Sequence, residues 1–424
     1  MRIYLDSVGC RLNQSEIEKF AAQFRAAGHI LVDAAGEADI VLINTCTVTV
    51  EAASDSRQKI RQASRAGKAD IVVTGCWSTL EAGAAAALPG VKWVIPNVHK
   101  KDLVTDVLNL PVEKMDLEPL ARQPLPGIHK RTRAFIKTQD GCDNHCTFCV
   151  TRIARGAGRS QSMEEVLADI HLALAGGTKE IVLTGVHLGS WGQDFDPPQH
   201  LKDLVNTILL KSQPRRMRLS SLEPWDLSSD FFALWQDKRM CHHLHLPLQS
   251  GCGATLRRMA RKVTPESFAG LVETARRVSP EMAITTDVIV GFPGETDAEF
   301  GESLNFVRQM AFAGGHVFSY SARPGTPAAR YPNQVPSKVY KERSAALRAV
   351  LAESARTFKQ RFVGQKFEVL WEGAGSFGPQ GWQMEGLTDN YLRVVAWSPE
   401  NRWNEVNLVE LKEDRGDGLS GIII

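Results

Sequence analysis

The sequence of 424 residues predicts an α/β protein of three consecutive units: an open parallel sheet with helices, an incomplete barrel of six β/α steps, and a small all-β barrel. Two observations predict this order. Short apolar runs rich in β-branched residues alternate with helical patterns through most of the chain, as in parallel sheets. From about residue 361 the pattern changes to alternating and aromatic runs separated by Gly, Pro and Asn, which is typical of a small β-barrel.

The first unit, predicted over residues 1–115, contains three strand-like runs and three cysteines. The runs are residues 2–6, 39–43 and 70–74. After the first run, apolar residues recur at helical spacing up to Gly28, a typical helix stop. Each run is followed within a few residues by a cysteine: Cys10, Cys46 and Cys76. Because groups beyond the carboxyl ends of parallel strands share one crevice, these three cysteines can meet.

The second unit, predicted over residues 130–358, follows a stretch from about 109 to 133 whose prolines and charges are typical of a linker. The predicted strands lie near residues 134–138, 180–184, 216–220, 243–247, 283–290 and 314–319. Two helix starts are well marked: Ser162 with Glu165 forms a capping box, and Thr264 precedes a first-turn proline. The charged helical segment 337–360 is expected to lead away from the barrel.

Charge is nearly balanced overall but uneven along the chain. Residues 1–121 carry 13 basic and 15 acidic groups, residues 122–360 carry 31 and 23, and residues 361–424 carry 6 and 10. The net charges are therefore −2, +8 and −4, so we expect a phosphate-rich partner to meet the central segment first.

No apolar run approaches the ~18 residues of a membrane span, so we expect a cytoplasmic protein without a membrane partner. In that compartment, the eight cysteines are expected to be metal ligands or catalytic thiols rather than disulfides. We treat Cys241 and Cys252 as structural thiols. The histidines close to Cys241, which are His242, His243 and His245, are not expected to bind metal.

The segment GCDNHCTFC carries the clearest chemical motif. Cys142, Cys146 and Cys149 have the spacing C-x3-C-x2-C directly after a predicted strand. Structural zinc sites and ferredoxin clusters use four protein ligands, so three cysteines imply an open metal position or a remote fourth ligand. Soft thiolates suit iron–sulfur clusters. A zinc loop, or three unrelated thiols, is the alternative.

This spacing at the end of a first barrel strand resembles the radical S-adenosylmethionine superfamily. The resemblance implies a [4Fe-4S] cluster whose open iron binds S-adenosylmethionine, and reductive cleavage of that cofactor to a 5′-deoxyadenosyl radical. Phe148 resembles the aromatic shield of such a cluster. Further segments that resemble cofactor-binding loops of this superfamily contribute Gly185, Gly189, Gln249, Ser250, Gly291 and Gly294. A purely structural role stays open for the glycines, and Arg258, Arg261 and Lys262 are either cofactor contacts or solvated charges.

Together with the radical motif and the terminal β-module, Cys10, Cys46 and Cys76 resemble the methylthiotransferases along essentially the whole chain. That resemblance implies a second, auxiliary [4Fe-4S] cluster, on whose open iron the sulfur to be delivered is attached. It also implies that one S-adenosylmethionine methylates this sulfur, while a second yields the radical that abstracts hydrogen from C2 of adenine. An electron donor of flavodoxin or ferredoxin type and a sulfur source are implied as well. No catalytic base is named.

The C-terminal module, predicted over residues 361–424, resembles the TRAM domain, which implies RNA binding, although its net charge opposes phosphate. Its aromatic residues either stack on bases or form the core; they are Trp371, Trp382, Tyr391, Trp397 and Trp403. We expect tRNA backbone contacts on Arg215, Arg216 and Arg218.

The substrate is predicted from local segments. Both GCRLNQSE around Cys10 and SSLEP at residues 220–224 resemble the enzymes that act on N6-threonylcarbamoyladenosine next to the anticodon of tRNA. The predicted product is its 2-methylthio derivative. The alternative substrates are isopentenyladenosine in tRNA and an aspartate of a ribosomal protein. A radical enzyme without sulfur insertion is a further alternative, as is, from another class, a non-catalytic metal-binding RNA adaptor.

Overall fold

The structure, a computed structural model, describes residues 1–109 and 132–424 and begins with a five-stranded parallel sheet. In chain order the elements are β1 (Arg2–Ser7), α1 (Arg11–Ala26), β2 (Ile30–Leu31), β3 (Ile40–Thr45), α2 (Val50–Ala66), β4 (Asp70–Gly75), α3 (Cys76–Leu80), α4 (Ala82–Ala86), β5 (Val91–Ile95) and α5 (Leu103–Leu108). The sheet order is β2-β1-β3-β4-β5. The three predicted strands are confirmed as β1, β3 and β4. Sequence analysis missed β2, which has two residues, and β5, an edge strand that is only partly buried.

The central unit contains six parallel strands. Its elements are β6 (Arg133–Asp140), α6 (Thr151–Arg155), β7 (Arg159–Ser160), α7 (Met163–Ala175), β8 (Glu180–Gly185), α8 (Leu201–Lys211), β9 (Arg216–Leu219), β10 (His243–His245), α9 (Gly253–Arg258), α10 (Pro265–Val278), β11 (Ala283–Val290), α11 (Asp297–Met310), β12 (Gly314–Ser319) and α12 (Ser337–Gln360). One sheet has the order β7-β6-β8-β9 and another β10-β11-β12. Isolated parallel bridges join Met217 of β9 to Met240, just before β10, and Ser221, just after β9, to His245 of β10. All six predicted strands are confirmed, as are the helix starts at Ser162 and Thr264.

The expectation that residues 337–360 lead away from the barrel is wrong. Helix α12 packs against β12 and α11. Leu347, Val350 and Leu351 are buried in the core of the central unit. Their spacing of three and four residues forms one apolar face, whereas the charges that suggested a departing helix lie mostly on its outer side.

The C-terminal unit is a closed five-stranded barrel. Its strands are β13 (Lys366–Gly378), β14 (Gly381–Thr388), β15 (Arg393–Ser398), β16 (Val406–Asp414) and β17 (Leu419–Ile423), in the order β13-β14-β15-β17-β16. Trp371 and Tyr391 are not available for base stacking: Trp371 is fully buried, and Tyr391 stacks on His243 of the central unit with ring centroids 4.1 Å apart. Trp397 is 42% exposed, while Trp382 and Trp403 are half-buried.

Two of the three arginines expected to contact tRNA instead attach the C-terminal barrel. Arg216 donates to the backbone carbonyls of Glu368 and Leu387, and Arg218 donates to that of Asp389. Both arginines are buried, so the expectation of phosphate contacts there is wrong. Arg215 is exposed and pairs with Glu368. The sequence shows where basic residues lie in the chain. It does not show which of them form hydrogen bonds or ion pairs with carboxylates and carbonyls after folding.

The predicted linker falls largely on residues 110–131, which lie outside the described residues. Among the helices of residues 1–109 and 132–424, none is long and apolar enough to cross a membrane.

Candidate functional site

The first cysteine triad lies where three adjacent strands end. Cys10 immediately precedes α1, Cys46 follows β3, and Cys76 is the first residue of α3 after β4. Gly9 has φ of +94°, and a Cβ there would lie 2.4 Å from Sγ of Cys46, so the first loop lies directly on the second. Burial raises the pKa of Cys46 to about 11, and the neighbouring thiols Cys10 and Cys76 contribute to this rise. The three cysteines therefore converge, as the sheet order requires.

The second triad lies on the loop after β6. Gly141, with φ of +70°, lies so close to Ala157 that a Cβ would be 1.9 Å from its carbonyl oxygen. Cys142 N donates to Gly156 O at 3.1 Å, which closes the loop. Burial raises the pKa of Cys146 to about 11 and also raises that of Cys149. A bound cation would oppose this effect of burial and favour the thiolate form of Cys146 and Cys149.

Hydrogen-bond donors point at sulfur in both triads. The backbone N–H of Asn144 lies 3.4 Å from Sγ of Cys142, and Arg261 Nη1 lies 3.8 Å from Sγ of Cys146. In the first triad, Arg155 Nε lies 3.3 Å from Sγ of Cys76. Such donors suit thiolate ligands and tune metal centres.

Within the described parts of the chain, no group of three or more His, Cys, Asp or Glu side chains has the geometry to hold a single metal ion. A four-iron cluster is wider than one ion, so its thiolates need not approach a common point. Three thiols without a fourth protein ligand, each triad at strand ends, therefore fit an iron–sulfur cluster better than a structural zinc ion.

The loop after β8 lies beside the second triad. Gly185 packs against Gln139, whose Oε1 accepts from the backbone N–H of His187 at 2.8 Å. His187 donates through Nε2 to Asp226 Oδ2 at 2.6 Å. Burial lowers the pKa of His187, but hydrogen bonds to Asp226 and Cys142 outweigh it and raise the value to about 10. A Cβ at Gly189 would lie 2.3 Å from that carboxylate, so close approach requires glycine there.

The segment after β10 has unusual backbone geometry. Gln249 has φ of +68° and exchanges backbone hydrogen bonds of 2.8 Å with Asp287 and Ile289. A non-glycine residue in this conformation is uncommon and is typical of functional sites. Ser250 is buried, and its hydroxyl accepts from the backbone N–H of Cys252 at 3.2 Å.

The three basic residues that follow have different environments. Arg261 is buried, pairs with Glu223 at 2.6 Å and lies 4.4 Å from the ring centroid of Trp225. It is therefore not a solvated charge. Arg258 pairs with Glu299, also at 2.6 Å, and Lys262 is exposed.

The remaining predicted cofactor residues lie at the end of β11 and in the cysteine loop. Gly291 and Gly294 have φ of +71° and +79°, so both are needed for the turn itself. Gly294 approaches Arg258. Phe148 packs edge-on against Phe292 at 6.5 Å between ring centroids, in a small apolar cluster next to the second triad.

A buried ionic network at the junction of the first two units was missed by sequence analysis. Glu16 accepts from Lys100 at 2.5 Å and from Lys137 at 3.0 Å. Arg155 donates to Glu16 and to Asp140, each at 3.0 Å. One signal was available, because Glu16 occupies a position four residues from Leu12 and from Phe20 on the buried face of α1.

Two family descriptions match the chain. "Uncharacterized protein family UPF0004" matches residues 2–95, and "Radical SAM superfamily" matches residues 136–307. These ranges contain the first and second cysteine triads respectively.

Curated relatives match almost end to end. A threonylcarbamoyladenosine tRNA methylthiotransferase MtaB from Bacillus subtilis is 35% identical over 96% of this chain and 92% of its own length. The protein of the same name from Thermotoga maritima is 35% identical, covering 98% and 96%. A tRNA-2-methylthio-N(6)-dimethylallyladenosine synthase from Novosphingobium aromaticivorans is 33% identical, again covering 98% and 96%.

Among solved structures, the chain resembles the radical S-adenosylmethionine methyltransferase TsrM from Kitasatospora setae, solved with cobalamin and a [4Fe-4S] cluster bound. The TM-score is 0.57, with 14% identity and 77% of each chain covered. At that identity, the likeness concerns the fold.

Proposed function

The chain belongs to the radical S-adenosylmethionine methylthiotransferase family, and from this premise we propose that it converts N6-threonylcarbamoyladenosine next to the anticodon of tRNA to its 2-methylthio derivative. The observation that carries the proposal is the pair of three-cysteine sites at strand ends, on two units joined by a buried ionic network. One site alone would suit radical generation; the second provides for sulfur delivery.

Both cysteine sets are proposed as cluster ligands. Cys10, Cys46 and Cys76 of the unit spanning residues 1–115 would hold an auxiliary [4Fe-4S] cluster. The set Cys142, Cys146 and Cys149 of the unit spanning residues 130–358 would hold the cluster that binds S-adenosylmethionine. When bound, these groups supply a carbon-centred radical and the sulfur to be inserted.

The chain's own residues would position these groups and exclude water. We propose that Phe148 shields the second cluster, and that the turns formed by Gly185, Gly189, Gly291 and Gly294 admit the cofactor close to the backbone. Gln249 and Ser250 would complete the cofactor site. The Ser250 hydroxyl accepts a hydrogen bond from the backbone N–H of Cys252. Its proposed role is therefore to stabilise the turn in which Gln249 has a positive φ.

The substrate assignment rests on the relatives. Relatives named MtaB are 33–35% identical to this chain, and the dimethylallyladenosine synthases are 29–34% identical. The GCRLNQSE and SSLEP segments add support for threonylcarbamoyladenosine. The proposed partners are tRNA, an electron donor of flavodoxin or ferredoxin type and a sulfur source, in the cytoplasm. We further propose that residues 361–424 act as a TRAM-like RNA-binding barrel.

Metal content after anaerobic reconstitution tests the two-cluster assignment. We expect about eight irons per wild-type chain and about four in a Cys142, Cys146, Cys149→Ala variant. Cys252→Ser is the matched control and should keep about eight. A zinc-loaded protein, or a triple variant without any cluster, would overturn the proposal and favour the metal-binding RNA adaptor.

Nucleoside mass spectrometry tests the substrate. Reconstituted enzyme, S-adenosylmethionine, sulfide and a low-potential reductant are incubated with tRNA carrying either threonylcarbamoyladenosine or isopentenyladenosine. We expect a methylthio product from the first tRNA alone. Product only from the second tRNA, or modification of a ribosomal protein instead, would contradict the assignment.

A further inference from the structure

We propose that Arg155, a residue of the central unit, is a positioning residue for the N-terminal cysteine triad and sets the reduction potential of the cluster held there. The inference rests on the proposed function, because it requires a cluster on Cys10, Cys46 and Cys76. It adds a residue from outside the N-terminal unit to that site.

Arg155 reaches across the junction to a single cysteine of the triad. Its Nε lies 3.3 Å from Sγ of Cys76, and its Nη2 lies 2.8 Å from Oδ1 of Asn13 on α1. The side chain is only 2% exposed. Cys76 also lies 3.8 Å from Nδ2 of Asn97, whose amide in turn donates to the carbonyl of Ala154 at 2.8 Å. The charged donor therefore contacts Cys76 of the first triad.

The buried charges at this junction favour a negative charge beside Arg155. Three basic groups, Arg155, Lys100 and Lys137, surround two carboxylates, Glu16 and Asp140. All five side chains are at most 21% exposed. One positive charge is left over, and a buried charge is costly unless it is paired. A cluster ligated by Cys76, 3.3 Å from Arg155 Nε, would supply that negative charge.

The position of Arg155 also links the two cysteine sites. Helix α6, which ends at Arg155, begins two residues after Cys149 of the second triad. It packs against α3, whose first residue is Cys76. A guanidinium that donates to a cluster sulfur stabilises the extra electron of the reduced cluster, so it raises the reduction potential.

A redox titration of the auxiliary cluster alone tests this role. The background is the full chain with Cys142, Cys146 and Cys149→Ala, so that spectroscopy during the titration reports only the N-terminal cluster. In that background we expect Arg155→Gln to keep about four irons and to lower the potential. A tenfold change in the ratio of reduced to oxidised cluster corresponds to 59 mV for one electron, and we expect at least that shift.

Two further variants keep the test decisive. Arg152→Gln removes an exposed arginine from the same helix and should leave the potential unchanged. Arg155→Lys keeps the charge of the junction but loses the Nε donor, so it protects folding and should show a smaller downward shift.

An unchanged potential in Arg155→Gln or Arg155→Lys would overturn the inference, as would an equal shift in Arg152→Gln. If both Arg155 variants lose the cluster, Arg155 is a structural residue and the inference also fails. A background protein that holds no cluster at all would instead contradict the proposed function.

Discussion

Gly189 shows how one missing side chain fixes a polar arrangement beside the second triad. The backbone at this position lies against Asp226, and the carboxylate of Asp226 accepts from His187. Gly189 does not have a positive φ, so its backbone conformation does not require glycine. Glycine is required because Asp226 leaves no room for a side chain. The sequence alone did not distinguish a cofactor-binding role of Gly189 from a structural role in a turn. The contact with Asp226 explains why glycine is required there.

Gly189→Ala is expected to reduce methylthiolation at least tenfold while the protein stays folded. The new methyl group must displace Asp226, and His187 then loses its acceptor. The measurement is the methylthio-nucleoside formed in single turnover, with thermal unfolding as a check.

The control for this change is Gly270→Ala in α10, where a Cβ would meet nothing within 4 Å. Because alanine favours the helix, this variant should be stabilised by about 0.5–1 kcal/mol and stay fully active. Full activity of Gly189→Ala would mean that the Asp226 contact is dispensable.

At the scale of elements, α12 belongs to the central unit. Its apolar face covers β12, the last strand of the incomplete barrel, which has no further strand to pair with among the described residues. Burying Leu347 and its neighbours there removes the edge region from water and closes the core. Helix α12 thus covers the open side of the sheet with its apolar face, while most of its charged residues face solvent.

Leu347→Ala should destabilise the protein by about 2–5 kcal/mol, since it leaves a cavity under a fully buried helix position. Urea unfolding followed by circular dichroism measures the change. Glu342→Ala, on the exposed face of the same helix, should change stability by less than about 0.5 kcal/mol. Equal effects of the two substitutions would show that α12 does not pack on the barrel.

At the scale of the whole molecule, the three units meet around Tyr391. Its hydroxyl accepts from Arg11 of the N-terminal unit at 2.6 Å, and its ring stacks on His243 of the central unit. Arg218 of the central unit lies 5.1 Å from the centroid of the same ring. The C-terminal barrel therefore contacts both other units, through a hydrogen bond to the first and through ring stacking and a cation–π contact to the second.

Arg218→Met should cost about 3–5 kcal/mol, because it leaves Glu180 buried without its bidentate partner. Burial alone would raise the pKa of Glu180, and Arg218 reverses this. Adding Glu180→Leu should recover much of the loss, which a double-mutant cycle by chemical denaturation measures. Arg215→Ala, at an exposed position, should be nearly neutral. A mild Arg218→Met effect would contradict the expected cost of leaving Glu180 buried without its partner.

The pair formed by His242 and Asp389 should make docking of the C-terminal barrel pH-dependent. Their hydrogen bond of 2.6 Å raises the pKa of His242 despite burial, and the pKa of Asp389 is lowered although burial alone would raise it. The histidine's contribution is complete below its unfolded pKa of about 6.5 and is lost as pH rises through the raised value. The carboxylate's contribution is complete above about pH 4 and is lost as pH falls through its lowered value.

His242→Gln should therefore destabilise the protein by about 0.5–1 kcal/mol at pH 6, and progressively less towards pH 9. Urea unfolding at a series of pH values measures this dependence. The control His99→Gln removes an exposed histidine and should show no such trend. A His242→Gln effect that is the same at every pH would rule out the ion pair as its cause.

The sequence by itself determined the three units, nine of the parallel strands and the two cysteine triads. Periodicity and spacing are local properties: β-branched runs predict strands such as β3, and C-x3-C-x2-C places Cys142, Cys146 and Cys149 on one loop. Parallel strands then bring Cys10, Cys46 and Cys76 to one edge by topology alone.

Only the tertiary structure decided which charges are buried and with what partners. Arg155 and Cys76 are 79 residues apart in the chain, and Arg218 and Glu180 are 38 apart, so no local pattern predicts their contacts. A basic residue has the same local signal whether it faces solvent, a carboxylate or a thiol. Its partner is selected by desolvation at the junction of folded units, which exists only once those units have packed together.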